Sequence, residues 1–247
     1  MQSSTHLADQ LKVQANSIKP LAIAVLVGLA LLLVGLRVMP EESTPLLAKV
    51  MGLLSPTIAT AGVGAYFGRR IRGWLPIIGL FIVSIIGLFL IRAAGGSDLA
   101  LALLFGWGFV NGMMLGPLVA FAVAEEGPQI VIQALAGTTA VMLGTGFVAL
   151  ATGINFSFLM PILLLGLIGL VVVGLIGIFV RFSRTMNLAY SVMGMVIFAG
   201  YFLFDFFRVG KSENTWEQAI QLTTQLYLDF ANFFIFLLRY LLLTRRR

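Results

Sequence analysis

The sequence predicts an all-α fold: a polytopic bundle of membrane-spanning helices. Three observations carry that prediction. Of 247 residues, 60% are hydrophobic and only 11% charged, whereas a soluble domain carries about 25% charged residues. The apolar residues fall into runs long enough for a helix to cross ~30 Å of hydrocarbon, which takes about 20 residues. The gaps between them are short and hold Gly, Pro and charges, the composition of turns. No stretch shows the period-2 alternation of a barrel strand.

Residues 1–19 form a polar tail without a small-residue cleavage site, so the first apolar run, 20–38, is expected to be a retained helix and not a removed signal peptide. Met39-Pro-Glu-Glu42 separates it from 46–68. Gly68-Arg-Arg-Ile-Arg-Gly73 leads to 74–91, and Arg92-Ala-Ala-Gly-Gly-Ser-Asp98 to 98–124. Glu125-Glu-Gly-Pro128 precedes 128–152, and Thr152-Gly-Ile-Asn155 precedes 156–180. Arg181-Phe-Ser-Arg184 opens 186–208, and Val209-Gly-Lys-Ser-Glu-Asn214 opens 216–243, which leaves 244–247 as a basic tail. Many of the 27 glycines lie inside the runs, where small residues let helices approach closely. Ala61-Gly-Val-Gly-Ala65 and Gly166-Leu-Ile-Gly169 are expected to pack in that way.

The net charge of +6 would suggest nucleic acid in a soluble protein. Here the bases sit at segment ends, where they anchor and orient helices, so no nucleic-acid partner is expected. With eight spans, one side collects Lys12, Lys19, Arg69, Arg70, Arg72, Arg181, Arg184, Arg245, Arg246 and Arg247. The other collects Arg37, Lys49, Arg92, Arg208 and Lys211. That imbalance places both termini in the cytoplasm. The absence of cysteine excludes disulfides and thiolate metal sites. His6 lies in the polar tail, where a metal role is improbable. Trp74, Trp107 and Trp216 read as interfacial markers, and Asn111, Thr138 and Thr139 as interhelical hydrogen-bonding groups. Glu125 and Glu126 read as a solvated turn. No phosphate loop, nucleophile elbow or His-Glu metal motif is present, and the chain is not expected to be an enzyme.

Of the ten acidic residues, only Asp205 and Asp229 lie deep within apolar runs. A carboxylate in hydrocarbon costs about 2.5–3.5 kcal/mol by insertion measurements, so it turns toward the bundle interior and marks a functional candidate. Gln218, Gln221, Gln225, Asp229 and Asn232 recur at three- and four-residue steps, a polar stripe on one helix face. Lipid offers these amides no partner, so the last helix is expected at the centre of the bundle. The preceding helix repeats the step with Gly194, Phe198, Tyr201, Asp205 and Arg208, and an intrahelical Asp205–Arg208 pair is the simplest structural account of that acid. Asp229 has no base within four residues. If the two acids meet, they cannot both ionise easily and would share a proton, titrating as a unit. Such a pair could act as a pH sensor, a proton relay or a weak Ca²⁺ site. An aspartic-protease dyad is the enzymatic alternative, but neither acid sits in a Gly-Xaa-Gly-Asp arrangement.

Ala189-Tyr-Ser-Val-Met-Gly194 leading to Gly200-Tyr-Phe-Leu-Phe-Asp205, then Leu226-Tyr-Leu-Asp-Phe-Ala-Asn232 and Leu237-Leu-Arg-Tyr240, resembles the Bax inhibitor-1 (transmembrane BAX inhibitor motif) family, particularly its bacterial, YccA-like members. Gly108-Phe-Val-Asn-Gly-Met-Met-Leu-Gly-Pro117, Ala134-Leu-Ala-Gly-Thr-Thr139 and Asn155-Phe-Ser-Phe-Leu159 are weaker echoes, and the likeness spans roughly 46–243. The resemblance implies a seven-helix core with the last helix central. It also implies a di-aspartyl pair, Asp205 and Asp229, sensing pH for a calcium leak, and an arginine that latches onto the pair. Arg92 matches the latch position; Arg69 and Arg208 are the other candidates. Segment 20–38 has no counterpart in the seven-helix plan and would be an extra N-terminal helix. If the core keeps the family orientation, that addition puts the N-terminus on the side opposite to the one the charge count assigns. The resemblance also leaves open a non-transporting regulator that binds a membrane protease or stress partner. Either way the expected location is the bacterial inner membrane, with no cofactor beyond transported or weakly bound Ca²⁺.

Overall fold

Seven helices run through residues 44–245, the part of the chain that the computed structural model describes: α1 (Leu46–Gly68), α2 (Trp74–Ala94), α3 (Asp98–Glu126), α4 (Gln129–Ala151), α5 (Leu159–Phe179), α6 (Arg184–Val209) and α7 (Trp216–Arg245). A single 3₁₀ turn (Phe156–Phe158) leads into α5, and the described residues contain no strand. All seven are long and apolar enough to cross a membrane. The predicted segment 20–38, the tail 1–19 with His6, and Arg246 and Arg247 lie outside the described residues.

Local chemistry sets the boundaries. Ser97 caps α3 by accepting from the Ala100 amide at 3.3 Å, and Ser183 caps α6 by accepting from the Met186 amide at 3.2 Å, each satisfying an otherwise orphaned donor. Gly95 and Gly127 follow the ends of α2 and α3 with φ of +62° and +78°, a region where a side chain is strained.

Short connections make successive helices antiparallel, so α1, α3, α5 and α7 run one way. The bundle therefore has a first end, with the start of α7 and the ends of α2 and α6, and a second end, with Arg69, Arg181 and Arg245. At the first end Lys49, fully buried, lies 5.1 Å over the Trp216 ring and donates to the Asn214 carbonyl at 3.3 Å. Asn214 in turn donates to the Thr44 carbonyl at 3.0 Å. These bonds pin the α6–α7 loop to the start of α1.

As the polar stripe predicts, α7 is central: it packs against α1, α3, α4 and α6, and Ile220, Leu222, Leu226 and Leu238 on it are fully buried. Helix α2 packs mainly on α3 and α5 mainly on α6. Both leave large apolar side chains outward, among them Phe81, Phe89, Leu165 and Phe179, as a lipid-facing surface requires.

Backbone meets backbone between α1 and α3. A Cβ added at Gly112 would lie 1.9 Å from the Ala61 carbonyl oxygen, one at Gly64 2.0 Å from that of Phe109, and one at Gly68 2.1 Å from that of Met113. The small-residue motifs pack only in part as predicted. Gly64 is a close contact, but Gly62 would meet nothing within 4 Å; Gly166 faces Ile197 at 3.0 Å, but Gly169 is open.

Two further expectations change. Trp107 is not interfacial: it is 3% exposed, donates to the Ser84 carbonyl at 3.0 Å and hydroxyl at 3.1 Å, and meets Tyr227 edge-on at 5.2 Å. The Ser84 hydroxyl also donates to Asn111 at 3.2 Å, so Asn111 does bond between helices, and together they clasp α2 onto α3. Thr138 does not bond across helices; its hydroxyl donates to the Ala134 carbonyl of its own helix at 2.8 Å.

Candidate functional site: a buried carboxyl pair

The two stepped stripes face each other as α6 and α7 pass antiparallel. Toward the second end, Gly194 makes room for the Phe236 ring, which would lie 2.4 Å from an added Cβ, and Phe198 stacks on that ring at 5.9 Å. Further along, Asp205 and Asp229 meet side chain to side chain within hydrogen-bonding reach. Closest to the first end, Arg208 donates to the Gln225 amide oxygen. The matching periods of the two helices bring these three layers into register.

Both carboxyls are buried, Asp205 at 4% and Asp229 at 7% relative exposure. An Arg208 nitrogen stands 3.7 Å from the nearer Asp205 oxygen, so the intrahelical pair predicted as the simple account of Asp205 exists alongside the contact with Asp229. Arg208 is partly exposed, 35% for its side chain, and it bridges Asp205 to Gln225. One oxygen of Asp229 has no hydrogen-bond partner. Tyr201, one turn before Asp205, lies within electrostatic reach of both acids.

The three arginine candidates are placed very differently. Arg208 touches the pair. Arg92 is exposed and lines a cleft of about 410 Å³ between α2 and α7, together with Leu88, Phe89, Gln221 and Gln225. Its guanidinium bonds to neither acid. Arg69 lies at the other end. Helices α1 and α7 run parallel where Thr223 donates to the Val50 carbonyl at 3.3 Å. At 1.5 Å per residue, Arg69 is about 28 Å beyond that contact and Asp229 only about 9 Å. Arg69 stacks instead on Tyr66, 3.8 Å from ring centroid to guanidinium, so the fold does not bring it to the pair.

Within the stripe, Gln218, Gln221, Gln225 and Asn232 are half buried, and only Asp229 is fully so. Gln221 donates to Glu217 at 3.0 Å, and Asn232 donates to the Leu228 carbonyl at 2.8 Å. Among the described residues no cluster of three or more His, Cys, Asp or Glu side chains could hold a metal ion. Two carboxyls supply fewer oxygens than the six to eight that Ca²⁺ takes, so the pair alone would not complete such a coordination shell.

Two groups were not marked as special in the sequence. Lys49 reads as an ordinary anchor near a segment end, with no sign that Trp216 and Asn214 would bury it. The Trp107–Ser84 clasp is equally silent, since indole is common both at interfaces and in cores.

Seven long apolar helices around a buried acid pair define an integral membrane protein with a polar centre. Comparison with known proteins then gives the family. Residues 43–246 match the family described as "Inhibitor of apoptosis-promoting Bax1". An uncharacterized membrane protein of Vibrio cholerae is 34% identical over 201 residues, covering 80% of this chain and 88% of that protein. An uncharacterized protein of Campylobacter jejuni is 32% identical over 201 residues, covering 76% and 84%. The protein named Bax inhibitor 1 in Schizosaccharomyces pombe is 27% identical over 175 residues, covering 71% and 64%. This chain belongs to the Bax inhibitor-1 family of membrane proteins.

Proposed function

We propose that the protein is a pH-sensitive leak pathway for calcium in the bacterial cytoplasmic membrane, gated by Asp205 and Asp229. The observation that carries this reading is the meeting of the two buried carboxyls, with Arg208, paired with Asp205, as the one cation beside them among the described residues. Two full negative charges at that spacing cannot be held in a dry site by one partly exposed guanidinium. A shared proton satisfies the pair and keeps α6 against α7. When that proton leaves, repulsion is relieved either by a cation or by separation of the helices, and both favour passage. Cavities on the half-buried polar face of α7 support a route along it: the 410 Å³ cleft with Arg92 at the first end, and one of about 340 Å³ lined by Arg239 toward the second. In this scheme Arg92 braces one state when α2 closes on α7. The described basic residues at the second end, Arg69, Arg70, Arg72, Arg181, Arg184 and Arg245, favour placing that end in the cytoplasm.

The test is calcium entry into liposomes holding the purified protein, measured from about pH 6 to 8. Flux should rise with pH, and Asp205→Asn or Asp229→Asn should each flatten that dependence. Absence of flux in every variant would point instead to a regulator whose aspartates only hold the bundle together.

A further inference from the structure

The geometry points to a binding site for an amine-bearing zwitterionic phospholipid in the cleft between α2 and α7. The cleft is graded along its length. Ile85, Leu88, Phe89 and Leu228 line the part farther from the first end, and the part nearer that end carries Arg92 with Gln221 and Gln225. Opposite charges flank that nearer part. Arg92 is exposed in the last turn of α2, and its guanidinium makes no hydrogen bond or ion pair among the described residues. Glu217 is exposed in the first turn of α7, and a carboxylate oxygen of it lies 4.0 Å from where a Cβ on Gly95 would stand, just past the end of α2. The only donor to that carboxylate among the described residues is the Gln221 amide.

A base lining the cleft and an acid one turn beyond Gln221 on α7, with no ion pair between them among the described residues and both at the ends of membrane-length helices, match the two charges of a phosphoethanolamine headgroup. Its phosphate would take the planar donors of Arg92, and its ammonium would donate to Glu217 in a charge-assisted hydrogen bond. One acyl chain would lie along the apolar part, filling the space that α2 leaves because it packs mainly on α3. A choline headgroup has no N–H to donate, and a glycerol headgroup has no cation to offset Glu217. The site therefore discriminates by headgroup. Occupancy would also hold Arg92 at the membrane surface, away from the aspartate pair.

Native mass spectrometry of the full chain in detergent tests this, with phosphatidylethanolamine, phosphatidylcholine and phosphatidylglycerol of identical acyl chains at equal concentration. The wild type should retain phosphatidylethanolamine over both others. Arg92→Gln should weaken retention of all three about tenfold, the size expected for losing one charge-assisted bond. Glu217→Gln should abolish only the preference for the ethanolamine lipid. Both side chains are exposed, so matching thermal melts would confirm that the variants fold. Phosphatidylglycerol retained above phosphatidylethanolamine, retention unchanged by Arg92→Gln, or a preference surviving Glu217→Gln would each overturn the site. The assay contains no calcium, so its outcome is independent of the leak.

Discussion

Gly112→Ala is the sharpest probe of how the bundle is built. In an exposed helix interior this substitution is favourable, by about 1 kcal/mol, because alanine loses less backbone entropy than glycine. At Gly112 the new Cβ would lie 1.9 Å from the Ala61 carbonyl oxygen and 2.6 Å from the Ala61 Cα. Ordinary contact begins near 3.4 Å, so α1 and α3 would have to part by about 1.5 Å where their backbones touch. Neither contacting atom belongs to a side chain that could rotate away. Overpacking of this kind costs about 1–3 kcal/mol, and separation would also loosen Gly64, Gly68 and Gly116 in the same seam. For a chain of this size each kcal/mol moves the melting temperature by about 2–4 °C, so a fall of several degrees is expected in detergent. Gly106→Ala and Gly144→Ala are the controls, since a Cβ at either meets nothing within 4 Å; they should leave the melt unchanged or raise it. Equal melting temperatures for Gly112→Ala and Gly106→Ala would refute the backbone-contact account of this interface.

Trp107→Phe removes the donor to Ser84 and should loosen α2 from α3. The chain contains no cysteine, so Ile91→Cys, at a position 3% exposed, is a clean reporter: thiol labelling there should accelerate several-fold in the Trp107→Phe background, and an unchanged rate would count against the clasp. Arg69→Gln should leave the pH profile of calcium flux where it is, because Arg69 sits at the far end of α1; a moved profile would mean that the pair and that end are coupled in a way the geometry does not provide.

Much of this was legible in the sequence because membrane helices announce themselves by length and apolarity, and the ends of α1, α3 and α7 fall within two residues of the predicted ends. Asp205 and Asp229 were legible for a related reason: an acid inside a 20-residue apolar run is costly toward lipid and turns to the interior. Periodicity then put them on facing stripes. What periodicity does not contain is distance across the bundle. It could not say that Arg208 satisfies Asp205 while also reaching Gln225, that Arg69 belongs to the opposite end, or that Arg92 would open onto a cleft. The glycines show the same limit, since Gly62 and Gly64 are two residues apart on one helix and point to different surroundings. Trp107 was misread because indole serves equally well at a headgroup interface and in a core that offers a carbonyl.

The position of α7 has a consequence for how the molecule is made. The central helix is the last of the described helices to be synthesised, so α6 can enter the bilayer before α7 is in place to bring Asp229 to Asp205. A lone ionised acid in that segment would resist insertion by about 2.5–3.5 kcal/mol. Arg208, one turn away on the same helix and already 3.7 Å from it, can travel with Asp205 as an escort during translocation, before it takes up its bond to Gln225.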